Sequence, residues 1–228
     1  MSTATSQVRF STAGSRARAA NFLTVAEILA VFTGILLYIW QWQYSHPRLW
    51  IPMLVFVVLS HAAHRDSLRD LGLTFDGMLQ NAKIILPLAL LILAPAFAYG
   101  LAVGSIRPQL KEWPELRYFG GYVVWCIFQQ YLTQSYFHNR IMRVVESRHV
   151  SSAITALMFG AAHIPNPVLM AVTTLGGFIL SEVFARYRNI WPLALVQAVS
   201  GVLLATLAPA AIIHNMRVGP GYFFYNRP

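Results

Sequence analysis

Long apolar runs separated by short polar connectors make up most of this chain. The first run, residues 21–44, is about 20 residues long, the length that an α-helix needs to cross ~30 Å of hydrocarbon. It ends in tyrosine and tryptophan side chains, which is typical of a membrane interface. Six further runs cover residues 48–63, 82–103, 118–139, 151–164, 166–185 and 190–213. The pattern predicts an all-α, polytopic membrane helix bundle of about seven transmembrane helices.

Composition agrees with this pattern and excludes a soluble globular domain. Hydrophobic residues make up 57% of the chain and charged residues 11%, with a mean hydropathy of +0.53. The net charge is +9, and the basic residues stand at the ends of apolar runs, which favours membrane lipids over nucleic acid as the partner. Most of them fall on one side if the N-terminus is cytoplasmic. The sequence therefore predicts an integral membrane protein with a cytoplasmic N-terminus.

The same pattern divides the chain into four parts. Residues 1–20 form a basic tail, 21–64 two N-terminal transmembrane helices, 65–213 a membrane core and 214–228 a C-terminal tail. No small-residue cleavage site follows the first apolar run, so we expect a retained anchor and not a removed signal peptide. An organelle transit peptide is the weaker alternative.

Polar side chains are densest inside the fourth run, where each is costly in a membrane. Gln130, Gln134 and His138 are four residues apart, so they fall along one face of a helix. Gln129 flanks that face. Such a stripe faces a cavity or the protein interior, and we expect Gln134 and His138 to line a cavity. Hydrogen bonding between helices is the alternative explanation.

The fifth run ends at His163, directly before the sequence Pro165-Asn166-Pro167. A broken helix at membrane depth survives only where it is buried in protein or lines a wet cavity, and we expect Asn166 to line that cavity. Gln129 lies about 16 Å from the outer end of its helix and His163 about 18 Å from the inner end, so both reach a similar depth. Gln197 is the strongly polar side chain of the seventh run.

Two acids also lie within apolar runs. Glu182 stands four residues before Arg186, which predicts an ion pair along one helix. Glu27 lies near the start of its run, where solvation at the interface or a position near the helix N-terminus would account for it. The nearby histidines His61 and His64 do not form a pattern that indicates a metal site.

In order and spacing, three short motifs resemble those of one membrane family. They read QQYLTQ at residues 129–134, FGAAH at 159–163 and QAVSG at 197–201. This arrangement resembles the CPBP family of intramembrane endopeptidases, which includes the type II CAAX prenyl proteases and the bacterial Abi proteins. The resemblance covers residues 65–208 and implies a CPBP-type core. It also implies that Phe159 and His163 belong to the family's second motif, FxxxH, with Phe159 lining the cavity.

The chain departs from the family at its chemical positions. The family's first motif is EExxxR, and here Gln129 and Gln130 replace the two glutamates while Gln134 replaces the arginine. Gln197 replaces the third-motif histidine, and Gly201 occupies the position where some members have asparagine. A glutamine amide has nearly the shape of a protonated glutamate, but it cannot take a proton near neutral pH. His163 alone keeps that ability among the motif residues.

Three functions remain open at this point. The resemblance implies an endopeptidase that hydrolyses membrane-associated or lipidated peptides, in which Gln129 and Gln130 position water and substrate, His163 is the base and Gln197 is an oxyanion donor. A catalytically inactive member would bind membrane peptides, lipidated tails or a partner protein without cleavage. A small membrane transporter is the third possibility. We predict no cofactor and no metal, and a location in the bacterial plasma membrane.

Overall fold

The computed structural model describes the backbone of residues 3–104 and 113–224, with side chains for 20–104, 119–209 and 212–224. Those residues contain helices and turns and no strand, so the all-α prediction is confirmed there. The helices are α1 (Thr3–Leu37), α2 (Trp50–Ala63), α3 (Met78–Ala102), α4 (Trp113–Gln130), α5 (Asn139–Val144), α6 (Arg148–Ala161), α7 (Pro167–Tyr187), α8 (Trp191–Leu207), α9 (Ala210–Ile213) and α10 (Pro220–Phe223).

Three helical segments of the described chain are long and apolar enough to cross a membrane. They are Ala20–Trp42, Met78–Ala102 and Pro167–Tyr187. Two shorter apolar helices, Pro47–Ala63 and Trp191–Leu207, accompany them. The fourth and fifth predicted runs also form helices, but polar side chains buried inside the bundle lower their hydropathy. The structure thus supports a membrane helix bundle, while the count of seven spans stays a prediction.

A continuous helical rod runs through the centre of the bundle. It consists of α4, a π-helical segment at Tyr131–His138 and α5. The rod packs against α8 along α4, against α6 along the π-helical segment and against α1 along α5. Hydrogen bonds of the i→i+5 type widen the helix in such a segment, and π-helical turns occur often at functional sites. The rod therefore places the glutamine-rich motif between α8 and α6.

Helices α6 and α7 have the most extensive contact of any two helices in the described part of the chain. An added Cβ at Gly160 would overlap the Thr174 hydroxyl, and one at Gly177 would press on Phe159. Small residues at these two positions let the helices approach closely, as is common in membrane proteins. The pair fixes the end of α6, where the second motif lies.

The connector at residues 64–77 is bound to the core and not free in the interface. Gly72 and Gly77 both adopt φ of +69°, and an added Cβ at Gly77 would lie 2.6 Å from the Tyr187 carbonyl oxygen. The Asn189 side-chain amide donates to the Thr74 carbonyl at 2.8 Å. The Ser135 hydroxyl donates to the Leu71 carbonyl at 2.5 Å. These bonds hold the connector against the central rod and the turn between α7 and α8.

The two end segments, residues 1–20 and 214–228, have regular or folded-back backbone where the structure describes them. Helix α1 begins at Thr3 and so runs through most of the segment predicted as a basic tail. The described part of the C-terminal segment folds back onto the turn after α6, because the Gly219 amide donates to the Ile164 carbonyl at 2.9 Å. Polar backbone groups in an apolar bundle need such partners. The segment therefore belongs to the core.

Candidate functional site

The first and third motifs meet where α4 packs against α8. The Gln130 side-chain amide donates to the Gln197 oxygen at 2.5 Å, and the Gln197 amide donates to the Gln129 oxygen at 2.6 Å. We call these three residues the glutamine group. Gln130 is fully buried, whereas Gln129 and Gln197 are half-buried. The two bonds occupy the Gln197 oxygen and one of its two amide hydrogens, so one donor of Gln197 remains for another acceptor.

His163 lies in the turn that follows α6. Its Nδ1 donates to the Phe159 carbonyl at 2.7 Å, and the two rings meet edge to face at 5.0 Å between centroids. Because a carbonyl oxygen can only accept, the proton of the neutral ring is on Nδ1. The Nε2 atom therefore keeps its lone pair, and the FxxxH spacing itself sets this tautomer by placing the carbonyl one helical turn before the ring.

One large cavity of about 1230 Å³ connects the motifs. Gln129, Phe159, His163 and Gln197 all line it, and most of its remaining wall is apolar. Its other polar lining side chains are Tyr38, Gln43, Tyr122, Thr133, Thr173 and Ser200. A cavity of this size and apolar character can hold an extended peptide side chain or a lipid tail next to a few polar groups.

Three of the predicted cavity residues have other positions. Gln134 and His138 are fully buried between helices and are absent from the cavity wall that the structure describes. The prediction treated residues 130–138 as an ordinary α-helix, whereas the π-helical segment buries all of residues 133–138 in the protein interior. Gln130 likewise lies behind Gln129 and reaches the site through Gln197.

Asn166 acts as a structural residue and not as part of the cavity wall. Its side-chain oxygen accepts from the Leu169 amide at 3.2 Å, which caps the start of α7. Its side-chain amide donates to the Ile213 carbonyl at 2.8 Å and to the Arg217 carbonyl at 3.2 Å. Asn166 thus attaches the turn that contains His163 to the C-terminal segment. In that segment, Met216 and Val218 close one part of the cavity.

Tyr122 is a residue that the motif comparison missed. An added Cβ at Gly201 would overlap the Tyr122 hydroxyl, so the phenol fills the space beside the third motif. Tyr122 lies seven residues, or two helical turns, before Gln129 on α4, and that spacing could have indicated it. A phenol hydroxyl can donate a hydrogen bond to a ligand oxygen in the cavity.

A second polar cluster lies where α1, α2, the connector and α5 meet. Its members are Glu27, His61, His64, Asp66, Arg140 and Arg143, which we call the ion cluster. Asp66 and Arg140 are fully buried and 2.8 Å apart, and the His61 ring lies 2.7 Å from Asp66. Arg143 pairs with the same carboxylate. The cluster therefore surrounds one buried carboxylate with three basic side chains.

The ion cluster also joins the first helix to the core. His64 bonds Glu27 at 3.0 Å on one side and Arg143 at 2.9 Å on the other. Burial alone would raise the pKa of Asp66, but hydrogen bonds from His61 and Arg140 and the charges of Arg140 and Arg143 hold that pKa below its ordinary value. The expectation that Glu27 is simply solvated at the interface was wrong.

The pairing predicted for Glu182 also differs from the structure. Glu182 lies 3.1 Å from both Arg148 and His149 of the neighbouring helix, while Arg186 packs over the Tyr187 ring. Within the described residues no group of three or more His, Cys, Asp and Glu side chains is arranged to hold a metal ion.

Residues 111–203 match the model of a family described as Type II CAAX prenyl endopeptidase Rce1-like. This stretch contains all three motifs, so the resemblance inferred from them is confirmed over that part of the chain. Searches of curated proteins and of solved structures found no match. The apolar helices support an integral membrane protein, and residues 111–203 of it are similar to the type II CAAX prenyl endopeptidase family.

Proposed function

We propose that this chain is an intramembrane endopeptidase that hydrolyses membrane-associated or lipidated peptides in the central cavity. The observation that carries the proposal is the common cavity of His163, Gln129 and Gln197. The cavity offers an apolar space for the substrate and a single base beside amide groups. The surrounding bundle would span the membrane about seven times, with the N-terminus in the cytoplasm of a bacterial cell.

His163 would act as base and then as acid. Its Nε2 takes a proton from a water molecule as the water oxygen attacks the peptide carbonyl carbon. The same proton passes to the leaving nitrogen when the carbon–nitrogen bond breaks, which gives a carboxylic acid and an amine. Gln129 would position water and substrate, and Gln130 would act through its bond to Gln197. The remaining amide hydrogen of Gln197 would donate to the developing oxyanion.

A catalytically inactive binding protein is the second candidate, and the glutamine group favours it. All three members are neutral and already bond one another. They can neither accept a proton nor balance the positive charge that His163 gains as a base. The same cavity would then hold a membrane peptide, a lipidated tail or part of a partner protein without cleaving it.

A turnover assay separates the two candidates. Full-length protein in liposomes is given a panel of lipidated peptides, and products are counted by mass spectrometry. We expect slow turnover that falls about 10²–10⁴-fold in His163→Ala, the usual effect of removing a positioned base. The matched control, His46→Ala, removes an exposed histidine outside the cavity and should leave turnover unchanged. Turnover that survives His163→Ala would contradict the peptidase proposal, and binding without turnover would favour the second candidate.

A further inference from the structure

Several buried polar atoms between the cavity and one end of the bundle have no hydrogen-bond partner among the residues that the structure describes. They are Gln130 Oε1, both amide atoms of Gln134, His138 Nδ1, Ser181 Oγ and Glu182 Oε1. Gln134 and His138 are fully buried and line no described part of the large cavity. Neither Gln134 nor His138 takes part in the candidate site or in its proposed chemistry.

These atoms follow one path through the protein. Gln130, Gln134 and His138 are four residues apart along the central rod, so they lie on nearly the same side of it and span at most about 12 Å. From His138 the path continues through side chains, since His138 Nε2 lies 3.4 Å from the Ser152 hydroxyl, and Ser152 of α6 is a neighbour of Glu182 on α7. Glu182 reaches the surface between Arg148 and His149.

Buried polar groups are almost always paired, because each unpaired donor or acceptor loses the hydrogen bonds that it had in water. Gln134 lacks the most hydrogen bonds, since neither its side-chain oxygen nor its side-chain nitrogen has a partner in the described protein. Buried water molecules usually fill this role, each bonding two to four polar groups. The six unpaired atoms along this path are polar groups to which such water molecules could bond.

We propose that a file of internal water molecules links the glutamine group to the Glu182 surface by way of Gln134 and His138. Water would bond Gln130 Oε1, then both amide atoms of Gln134, then His138 Nδ1. The ligand is water itself, held at positions that the protein leaves polar. Supplying water to hydrolysis is a role that rests on the proposed function, whereas the presence of the water file does not.

The bonds at the end of the path set a direction for proton transfer. Glu182 can only accept, so the Ser152 hydroxyl donates to it and in turn accepts from His138 Nε2–H. His138 Nδ1 then carries the lone pair and accepts from the last water. When Nδ1 of His138 takes a proton from the last water, Nε2 releases its own proton through Ser152 toward Glu182. The His138 ring is then neutral again. The charged groups that act on His138 are Arg188 and Glu182.

Radiolytic hydroxyl labelling of the full-length protein in nanodiscs tests the water file without any substrate. X-rays generate hydroxyl radicals from bound water, so a buried side chain is oxidised only if water lies next to it. We expect His138 to be oxidised several-fold faster than its neighbour Phe137, which packs in an apolar cluster. Equal rates at the two rings would overturn the proposal. Because no turnover is measured, this result is independent of peptidase activity.

A substitution then tests whether the file reaches the glutamine group. Gln134→Leu keeps the size of the side chain and removes both amide atoms, so labelling of His138 should fall several-fold while Phe137 is unchanged. The control Thr155→Val removes a buried hydroxyl that is already bonded to the Ser151 carbonyl at 2.9 Å and should change neither rate. Unchanged His138 labelling in Gln134→Leu would mean that water enters only from Glu182, which contradicts the connection.

Discussion

The glutamine group and the ion cluster are two buried polar regions of one bundle that follow opposite rules. In the glutamine group, uncharged amides bond one another beside a large cavity. In the ion cluster, full charges pair around a carboxylate that is fully buried. Burying a charge is expensive unless it is paired and hydrogen-bonded. The comparison shows that this protein can bury charged groups, yet it keeps charge out of the motif positions.

The two regions should therefore have different roles, one in the stability of the fold and the other in the chemistry of the cavity. The ion cluster joins α1, α2, the connector and α5, so its loss should weaken the fold. The glutamine group holds two half-buried amides open to the cavity, so its alteration should change chemistry more than folding. Variants that alter one region therefore test whether the other keeps the behaviour that this division requires.

The largest expected effect comes from restoring charge to the motif positions. We expect the triple variant Gln129→Glu, Gln130→Glu and Gln197→His to raise peptide turnover about 10²–10⁴-fold, because it supplies a positioned base and a counter-charge for His163. Gln129 and Gln197 contribute an acceptor and a donor to their bond, and a glutamate and a histidine preserve both roles. Turnover of lipidated peptides in liposomes measures the effect.

A matched control places the same charge elsewhere in the cavity. Gln43→Glu alters another cavity glutamine, whose side-chain amide donates to the Ile39 carbonyl, and it should leave turnover unchanged. If the triple variant folds and binds peptide but gains no turnover, the view that neutral amides limit the chemistry is contradicted.

Breaking the ion cluster should have the largest effect on stability. Arg140→Met leaves the Asp66 side chain fully buried without the buried arginine that lies 2.8 Å from it, and removing one partner of a buried pair usually costs about 3–5 kcal/mol. We expect a correspondingly lower free energy of unfolding in detergent titrated with denaturant. Arg69→Met is the control, because Arg69 is 78% exposed and lies 3.9 Å from Asp76. Equal losses in both variants would show that the cluster does not stabilise the fold.

Removing Gln197, the centre of the glutamine group, should lower the free energy of unfolding by less than Arg140→Met does. Gln197→Leu leaves the Gln130 amide and the Gln129 oxygen without their bonds to Gln197, which for neutral groups costs about 1–3 kcal/mol in total. Cavity water can replace the partner of the half-buried Gln129. The same denaturant titration measures the change, and a loss as large as that of Arg140→Met would remove the contrast between the two regions.

The smallest predicted effect is a pH dependence that belongs to Asp66. Its pKa is lower in the folded protein than in the unfolded chain, so the folded state gains stability above the unfolded value of about 3.9. This gain is lost as the pH falls from about 5 through the folded pKa. Thermal unfolding between pH 7 and acid conditions should show the loss in the native protein and a flatter profile in Asp66→Asn. The exposed Asp76→Asn should keep the native slope.

Sequence patterns best predicted the features that depend on residues close together in the chain. Apolar runs predicted the helices because a spanning helix must be long and hydrophobic. The motifs pointed to Gln129, His163 and Gln197, which share one cavity, although no local pattern showed that Gln197 would bond both Gln129 and Gln130. The match over residues 111–203 agrees with the order and spacing of those motifs.

Three features were beyond this kind of reasoning. The ion cluster joins residues such as His64 and Arg143, which are 79 positions apart, and spacing along the chain gives no sign of that contact. The pairing expected for Glu182 considered its own helix alone, whereas its partners Arg148 and His149 come from α6. The π-helical segment changed which side chains of the polar stripe face the cavity, and hydrophobic periodicity does not distinguish it from an α-helix.

Photochemical labelling with a lipidated peptide tests the central claim, that the cavity beside His163 and the glutamine group receives membrane peptides. The peptide carries a diazirine next to the bond expected to be cleaved, and labelled residues are located by mass spectrometry of the full-length protein in liposomes. We predict labelling of cavity residues in α4, α8 and the turn after α6, reduced by excess unlabelled peptide and by Gly176→Trp, which narrows the cavity. Labelling confined to the lipid-facing surface of α3 would contradict the account.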